Sequence, residues 1–311
     1  MKLITAFFKL IRWPNLFFIA LTQSLFYYCV FEQLLLEPAL HPANHLLFYL
    51  LVTASVLIAA AGYIINDYFD LQIDTINKPQ KVVVDKIIKR RWTIVWHWFL
   101  SGIGLLLSFY VSRQIGNWII GIVNVFCVLL LWFYSTTFKK RLLSGNIIIA
   151  ALTAWVVIVV YFFCGASFHI WSTIDNHFNS ARFFKFTILY AGFAFIISLI
   201  REVIKDLEDK EGDAQYHCKT MPIVWGVPAT KVFTAVWLVV AIAALSIVQL
   251  YAWQSGWWWI VLYSVVLTIL PLMLILKKLY AASTPAEYHQ LSSAIKLVML
   301  TGILSMLFFI I

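Results

Sequence analysis

Acidic residues are scarce in this chain. Only 14 of its 311 residues are Asp or Glu, and all charged residues together make up 12% of the sequence. Hydrophobic residues make up 63%, and the mean hydropathy of +0.89 excludes an ordinary soluble domain. No Gly-, Pro- or Ser-rich linker divides the chain. We therefore expect a single integral-membrane domain over residues 1–311.

Several familiar chemical signatures are also missing. The four cysteines fall in apolar runs (Cys29, Cys127 and Cys164) or in a loop (Cys218), so we expect buried fillers and no disulfide framework. The seven histidines form no ligand pattern. The sequence has no Walker, Rossmann or GxSxG motif of any weight.

What the chain has instead is a series of long apolar runs. Runs of about 17 to 22 residues match the thickness of a hydrocarbon core, whereas a β-barrel would need short alternating segments. The sequence thus predicts an all-α membrane protein with nine transmembrane helices in a bundle around a central cavity. The nine predicted spans are Asn15–Phe31, Leu46–Ile65, Ile94–Val111, Trp118–Tyr134, Ile147–Phe163, Phe184–Ile200, Val232–Trp253, Trp257–Leu276 and Ala294–Ile311.

The distribution of basic residues predicts the orientation. With the N-terminus in the cytoplasm, 20 of the 23 Lys and Arg residues fall on the inner side of the nine-helix arrangement. This asymmetry explains the net charge of +9 without a nucleic-acid partner. Residues 2–12 resemble a short interfacial helix and not a cleavable signal. We expect a cell (inner) membrane protein with its N-terminus and its active-site loops in the cytoplasm.

The first acidic stretch covers residues 66–74. In a helix, Asn66, Asp70 and Asp74 share one face, with Asp67 turned by about 100° from it. A solvated helix end is the plain interpretation. However, three carboxylates and one amide in nine residues repel each other unless a cation neutralises them, and these oxygens suit Mg²⁺. We predict all four as metal ligands and Asn66 also as a substrate contact.

The second acidic stretch covers residues 205–213. Asp206, Asp209 and Asp213 have helical spacing and are the remaining predicted metal ligands. Lys205, four residues before Asp209, predicts either an internal salt bridge or a phosphate contact. Arg201 lies one turn deeper, where charge is expensive and so more often functional, and we predict that it binds substrate.

Further polar residues flank these stretches. Lysines at a cytoplasmic interface either set topology or bind phosphate, and both interpretations stay open here. The additional predicted substrate-binding residues are Lys78, Lys81, Tyr134, Lys139 and Asn146.

With these residues in view, the chain resembles the UbiA superfamily of intramembrane prenyltransferases. The family motifs NxxxDxxxD and DxxxD correspond to Asn66, Asp70 and Asp74 and to Asp209 and Asp213. The run from Arg201 to Asp213 is most similar to the geranylgeranylglycerol-phosphate geranylgeranyltransferase branch. One departure is Lys81-Val82, where many relatives have Arg-Pro.

The resemblance implies a function. Mg²⁺ would hold the diphosphate of a polyprenyl donor, here geranylgeranyl, with Asp70, Asp209 and Lys205 as catalytic residues. The acceptor would be geranylgeranylglyceryl phosphate, with an aromatic quinone-pathway acceptor as the alternative. A cation-coupled transporter is a more distant alternative, because the runs between the stretches are almost free of acids. We expect small or lipid substrates and no obligatory protein partner.

Overall fold

The computed structural model describes residues 2–34, 45–77, 83–167 and 180–310. Over these residues the elements are helices, apart from an isolated bridge between Val84 and Ile88. The α-helices are α1 (Lys2–Leu10), α2 (Trp13–Leu25), α3 (His45–Asn77), α4 (Arg90–Gln114), α5 (Ile119–Thr136), α6 (Ser144–Ser167), α7 (Ser180–Glu208), α8 (Lys210–Gln215), α9 (Met221–Val224), α10 (Gly226–Gln254), α11 (Trp258–Ser264), α12 (Leu270–Ala281) and α13 (Pro285–Leu304). Two π-helical segments, Phe26–Phe31 and Val265–Ile269, continue α2 and α11.

Nine helical segments within these ranges are long and apolar enough to cross a membrane, and each overlaps one predicted span. The predicted all-α membrane fold is confirmed. The helices extend further than the apolar runs do. The helix α3 ends at Asn77 and not near Ile65, and α13 begins at Pro285 because Thr284 and Glu287 form a capping box.

Helices of membrane length pack through small residues in the first of two compact units, which comprises residues 1–138 and 155–188. A Cβ atom on Gly104 of α4 would lie 2.8 Å from Ile58 Cγ1 of α3, so glycine permits the close approach of these helices. The helix α1 buries Ala6 and Leu10 in a core cluster that also contains Ile64 of α3. The unit thus fixes α1 against the helix that carries the first acidic stretch.

The second unit comprises residues 139–154 and 189–311. Its main core cluster contains Ile204 of α7, Leu238 of α10, Leu272 of α12 and Ile295 of α13, all fully buried. The end of α12 is held by Lys231, whose Nζ donates hydrogen bonds to backbone carbonyls of the α12–α13 turn. This core supports the end of α7, where the second acidic stretch begins.

All four cysteines are buried, as the sequence predicts. They are Cys29, Cys127, Cys164 and Cys218.

Candidate active site

The first acidic stretch lies on the uninterrupted C-terminal part of α3. Asn66 and Asp70 are buried, and the Asn66 Nδ2 donates a hydrogen bond of 2.6 Å to the Asp70 Oδ2. A carboxylate can only accept, so the amide nitrogen must face Asp70. The Asn66 Oδ1 is therefore left buried without a hydrogen-bond partner. Asp74, one turn further along, is half-buried.

Asp67 has a different environment from its neighbours. Its Oδ1 lies 2.6 Å from Nη2 of Arg12, in the corner between α1 and α2. The same guanidinium lies over the Tyr63 ring, 5.2 Å from its centre. Burial alone would lower the pKa of Arg12, but the charge and hydrogen bond of Asp67, together with the charges of Tyr63 and Asp74, outweigh burial and raise this pKa above its usual value. Arg12 therefore stays charged beside the acidic stretch.

The second acidic stretch is not one continuous helix. The helix α7 ends at Glu208, Asp209 is the N-cap of α8, and the buried Asp213 lies within α8. The backbone N–H of Asp213 still donates to the Asp209 carbonyl, at 3.1 Å, which keeps the two residues one turn apart. The helical spacing of 209 and 213 is thus preserved across a local break.

An amide from another helix supports this stretch. The Nδ2 of Asn146, in the first turn of α6, donates a hydrogen bond of 2.9 Å to the Asp206 Oδ2. Asp206 is also within electrostatic range of Lys139, Glu202 and Asp213. The structure therefore brings the predicted residues Lys139, Asn146, Asp206 and Asp213 into one neighbourhood.

Two predicted cations share one carboxylate. The Glu202 Oε1 accepts from Lys205 Nζ at 2.8 Å and from Arg201 Nη1 at 3.1 Å. Glu202 is buried, while the side chains of Arg201 and Lys205 keep 20% and 27% of their surface exposed. Glu202 thus holds both cations on one turn of α7, and both side chains stay partly exposed.

Of the other predicted residues, one lies in α5 and two lie outside the described ranges. Tyr134 is half-buried in the last turns of α5. Lys140 accepts through its carbonyl from the Lys219 backbone N–H, at 2.8 Å, which ties the α5–α6 turn to the segment before α9. Lys78 and Lys81 lie outside the described residues.

A family model described as the UbiA prenyltransferase family matches residues 24–299, most of the chain. The chain belongs to this family. This match confirms the predicted UbiA resemblance and the predicted prenyltransferase activity. It also confirms the prediction of a multi-pass membrane protein.

Three curated relatives of this UbiA-family chain are each named digeranylgeranylglyceryl phosphate synthase. The relative from Methanoregula boonei is 31% identical over 209 residues, which cover 67% of each chain. The one from Methanobrevibacter smithii is 29% identical over 186 residues, 60% of each chain. The one from Sulfurisphaera tokodaii is 29% identical over 279 residues, 88% of this chain and 86% of the relative. The first two matches thus span about two thirds or less of the relatives' length.

Solved structures share the UbiA fold. A digeranylgeranylglyceryl phosphate synthase structure has a TM-score of 0.60 and 22% identity, covering 99% of both chains. A UbiA homologue from Archaeoglobus fulgidus, bound to GPP and Mg²⁺, has a TM-score of 0.60 and 13% identity, covering 97% of this chain and 99% of that one. At these identities the likeness shows the fold.

Three charged residues that were assigned no partner from the sequence form ion pairs or hydrogen bonds in the structure. Arg12, one of the 20 basic residues on the predicted inner side, pairs with Asp67. Glu202 lies three residues before Lys205, and this helical spacing is the signal for their ion pair. Glu208 lies 3.0 Å from His289 Nδ1 of α13, a contact between distant segments that no local pattern announces.

Proposed function

We propose that this UbiA-family enzyme transfers a geranylgeranyl group from geranylgeranyl diphosphate to geranylgeranylglyceryl phosphate. The observation that carries the proposal is the buried pair Asn66 and Asp70 on α3, and the Arg201–Glu202–Lys205 cluster on α7 supports it separately. The first arrangement suits a metal-bound diphosphate, and the second suits phosphate oxygens. The acceptor part of the proposal is supported by the names of the curated relatives.

The residues of the first stretch fit a magnesium ion. The buried Asn66 Oδ1 accepts no hydrogen bond in the protein. An amide oxygen beside a carboxylate is a pair of ligands that Mg²⁺ can bind. Within the described ranges, no group of three or more Asp, Glu, His or Cys side chains is placed to hold a metal ion by itself. Mg²⁺ characteristically uses one or two carboxylates together with substrate phosphates and water. In the first stretch the residues that would hold Mg²⁺ are Asn66, Asp70 and Asp74, and the second stretch has its own candidate ligands in Asp206, Asp209 and Asp213.

Bound Mg²⁺ would supply Lewis-acid stabilisation of the leaving diphosphate. The protein's own contribution is to place positive charge beside the diphosphate, on which negative charge develops as it leaves. Glu202 fixes Lys205 and Arg201, so these cations need little reorganisation as the C1–O bond of the donor breaks. The acceptor hydroxyl oxygen then forms the new bond to C1 and loses its proton, and diphosphate leaves. The products are a diether phosphate and diphosphate.

We propose that this chemistry takes place at the cytoplasmic side of the cell membrane. The proposal is supported by the asymmetry of the basic residues, 20 of 23 of which fall on that side of the predicted arrangement. The prediction that both acidic stretches serve one diphosphate remains a prediction.

The test is an acceptor panel. Purified protein in nanodiscs is incubated with Mg²⁺, labelled geranylgeranyl diphosphate and one acceptor: geranylgeranylglyceryl phosphate, 4-hydroxybenzoate or 1,4-dihydroxy-2-naphthoate. We expect the glyceryl phosphate to be prenylated at least as efficiently as either aromatic acid. Transfer to an aromatic ring with none to the glyceryl phosphate would show that the proposed acceptor is wrong. The family assignment would stay unchanged.

A further inference from the structure

The corner between α1 and α2 has an unusual backbone. Arg12 has φ 52° and ψ 53°, the left-handed region that residues other than Gly, Asn and Asp rarely adopt. Pro14 follows at the start of α2. A strained residue that is kept in a structure points to a role for its side chain. Here that side chain reaches Asp67 at 2.6 Å.

Apolar packing fixes the position of this corner independently of the ion pair. Ala6, Leu10 and Ile11 of the segment before Arg12 are buried in one core cluster with Ala60 and Ile64 of α3. These two α3 residues lie within two turns of Asp67. The guanidinium therefore projects from a fixed base onto a fixed helix.

The contact at Asp67 constrains the rotation of α3. Neighbouring residues of a helix are turned by about 100°, so Asp67 projects to the side of the face that carries Asn66 and Asp70. Tyr63, one turn earlier, lies under the same guanidinium at 5.2 Å. A helix turn held at both of these positions cannot rotate without breaking one contact. The directions of Asn66 and Asp70 are thereby set.

We propose that Arg12 is a positioning residue for the prenyl transfer proposed above, acting through Asp67 to orient Asn66 and Asp70. In this arrangement Asp67 anchors Arg12 and is not a metal ligand, in contrast to the prediction from sequence. The inference rests on the proposed function, because it assigns Asn66 and Asp70 to diphosphate binding.

The first test is a double-mutant cycle with Arg12→Ala, Asp67→Ala and the double variant, assayed in nanodiscs over a range of Mg²⁺ concentrations. We expect each single change to lower kcat about tenfold and the double change to lower it no further, because both remove one contact. The Mg²⁺ concentration for half-maximal rate should rise to the same extent in the three variants, because each loses the orientation of the ligands Asn66 and Asp70. Lys9→Ala, which removes an exposed cation from the same corner, is the matched control and should leave kcat unchanged.

Conservative variants separate positioning from metal binding. Asp67→Asn still offers the guanidinium an acceptor, so its kcat and its Mg²⁺ requirement should both lie between those of the wild type and Asp67→Ala. Arg12→Lys keeps the charge and should also be intermediate, even if Arg12→Ala does not fold. A Mg²⁺ requirement raised about tenfold in Asp67→Asn but unchanged in both Arg12 variants would identify Asp67 as a metal ligand and overturn the inference.

A readout without substrate completes the test. Hydrogen–deuterium exchange of metal-free protein should be faster over residues 63–74 in Arg12→Ala than in Lys9→Ala, because the turn loses its external contact. Equal exchange together with normal kcat in Arg12→Ala would refute the positioning role. Absence of transfer to geranylgeranylglyceryl phosphate by the wild type in the acceptor panel would instead refute the proposed function, so the two failures are distinguishable.

Discussion

The two acidic stretches build the same contact in different ways. In the first, Asn66 donates to Asp70 from four residues away on one unbroken helix. In the second, Asn146 donates to Asp206 from a different helix, 60 positions away, and the helix itself breaks at Asp209. A local pair forms whenever its helix forms, whereas a pair between helices also depends on how those helices pack. The second stretch should therefore depend more on tertiary structure.

The largest expected effect comes from removing one carboxylate of each stretch. Asp70→Ala and Asp209→Ala should each lower kcat by a factor of about 100 or more, because neighbouring groups cannot replace a lost ligand of a metal-bound diphosphate. The measurement is single-turnover transfer of labelled geranylgeranyl diphosphate by protein that is verified as folded in the membrane. Glu211→Ala, which removes an exposed acid of the second stretch, is the control. Near-normal activity in either Asp variant would show that its stretch is not needed.

Removal of divalent metal should act on both stretches at once. EDTA should reduce transfer to background, and added Mg²⁺ should restore it, because the clustered carboxylates repel one another without a cation. The experiment follows product formation before and after Mg²⁺ addition, with Zn²⁺ and Ca²⁺ as comparison ions. Undiminished transfer in EDTA would contradict a metal-dependent site.

Replacement of the two amide side chains that donate to the acidic stretches, Asn66 and Asn146, should have different effects. Asn66→Ala should raise the Mg²⁺ concentration for half-maximal rate about tenfold, because it removes a buried amide oxygen that accepts no hydrogen bond in the protein. Asn146→Ala should instead lower the free energy of unfolding by about 1–3 kcal/mol, because a carboxylate loses a donor from another helix. Metal titrations and thermal unfolding of both variants test this. Identical profiles would show that the local and the tertiary contact are equivalent.

The smallest expected effect concerns Lys205. Lys205→Ala should raise the KM for the diphosphate donor about three- to tenfold, because a phosphate contact is lost while Glu202 keeps Arg201 as a partner. Thermal stability should change by less than about 1 kcal/mol, as a partly exposed ion pair contributes little. Steady-state kinetics and thermal unfolding measure both. A large stability loss with unchanged kinetics would make Lys205 purely structural.

The sequence predicts the membrane helices well because length and apolar composition are local properties. It also places Asn66, Asp70 and Asp74 on one helix face, because helical periodicity is local too. The predicted span ended near Ile65 because the apolar run ends there, but backbone hydrogen bonding continues the helix through polar residues to Asn77.

Other features of the candidate site depend on information that periodicity does not contain. The break at Asp209 and the contact of Asn146 with Asp206 arise from packing between segments far apart in the chain. The direction of the Arg12 side chain depends on a left-handed backbone that no local pattern requires. For Lys205 the sequence allows either a salt bridge to Asp209 or a phosphate contact. The structure adds an ion pair with Glu202.

The burial of all four thiols makes the native protein suitable for site-specific labelling. Cys29, Cys127, Cys164 and Cys218 are each at most 6% exposed, so a maleimide reagent has little access to them in the folded state. A single cysteine introduced at an exposed position, such as Lys9 or Glu211, would then carry a spin label or fluorophore without removal of any native cysteine. Movements of α1 and of the second acidic stretch during turnover thereby become measurable in the otherwise unaltered enzyme.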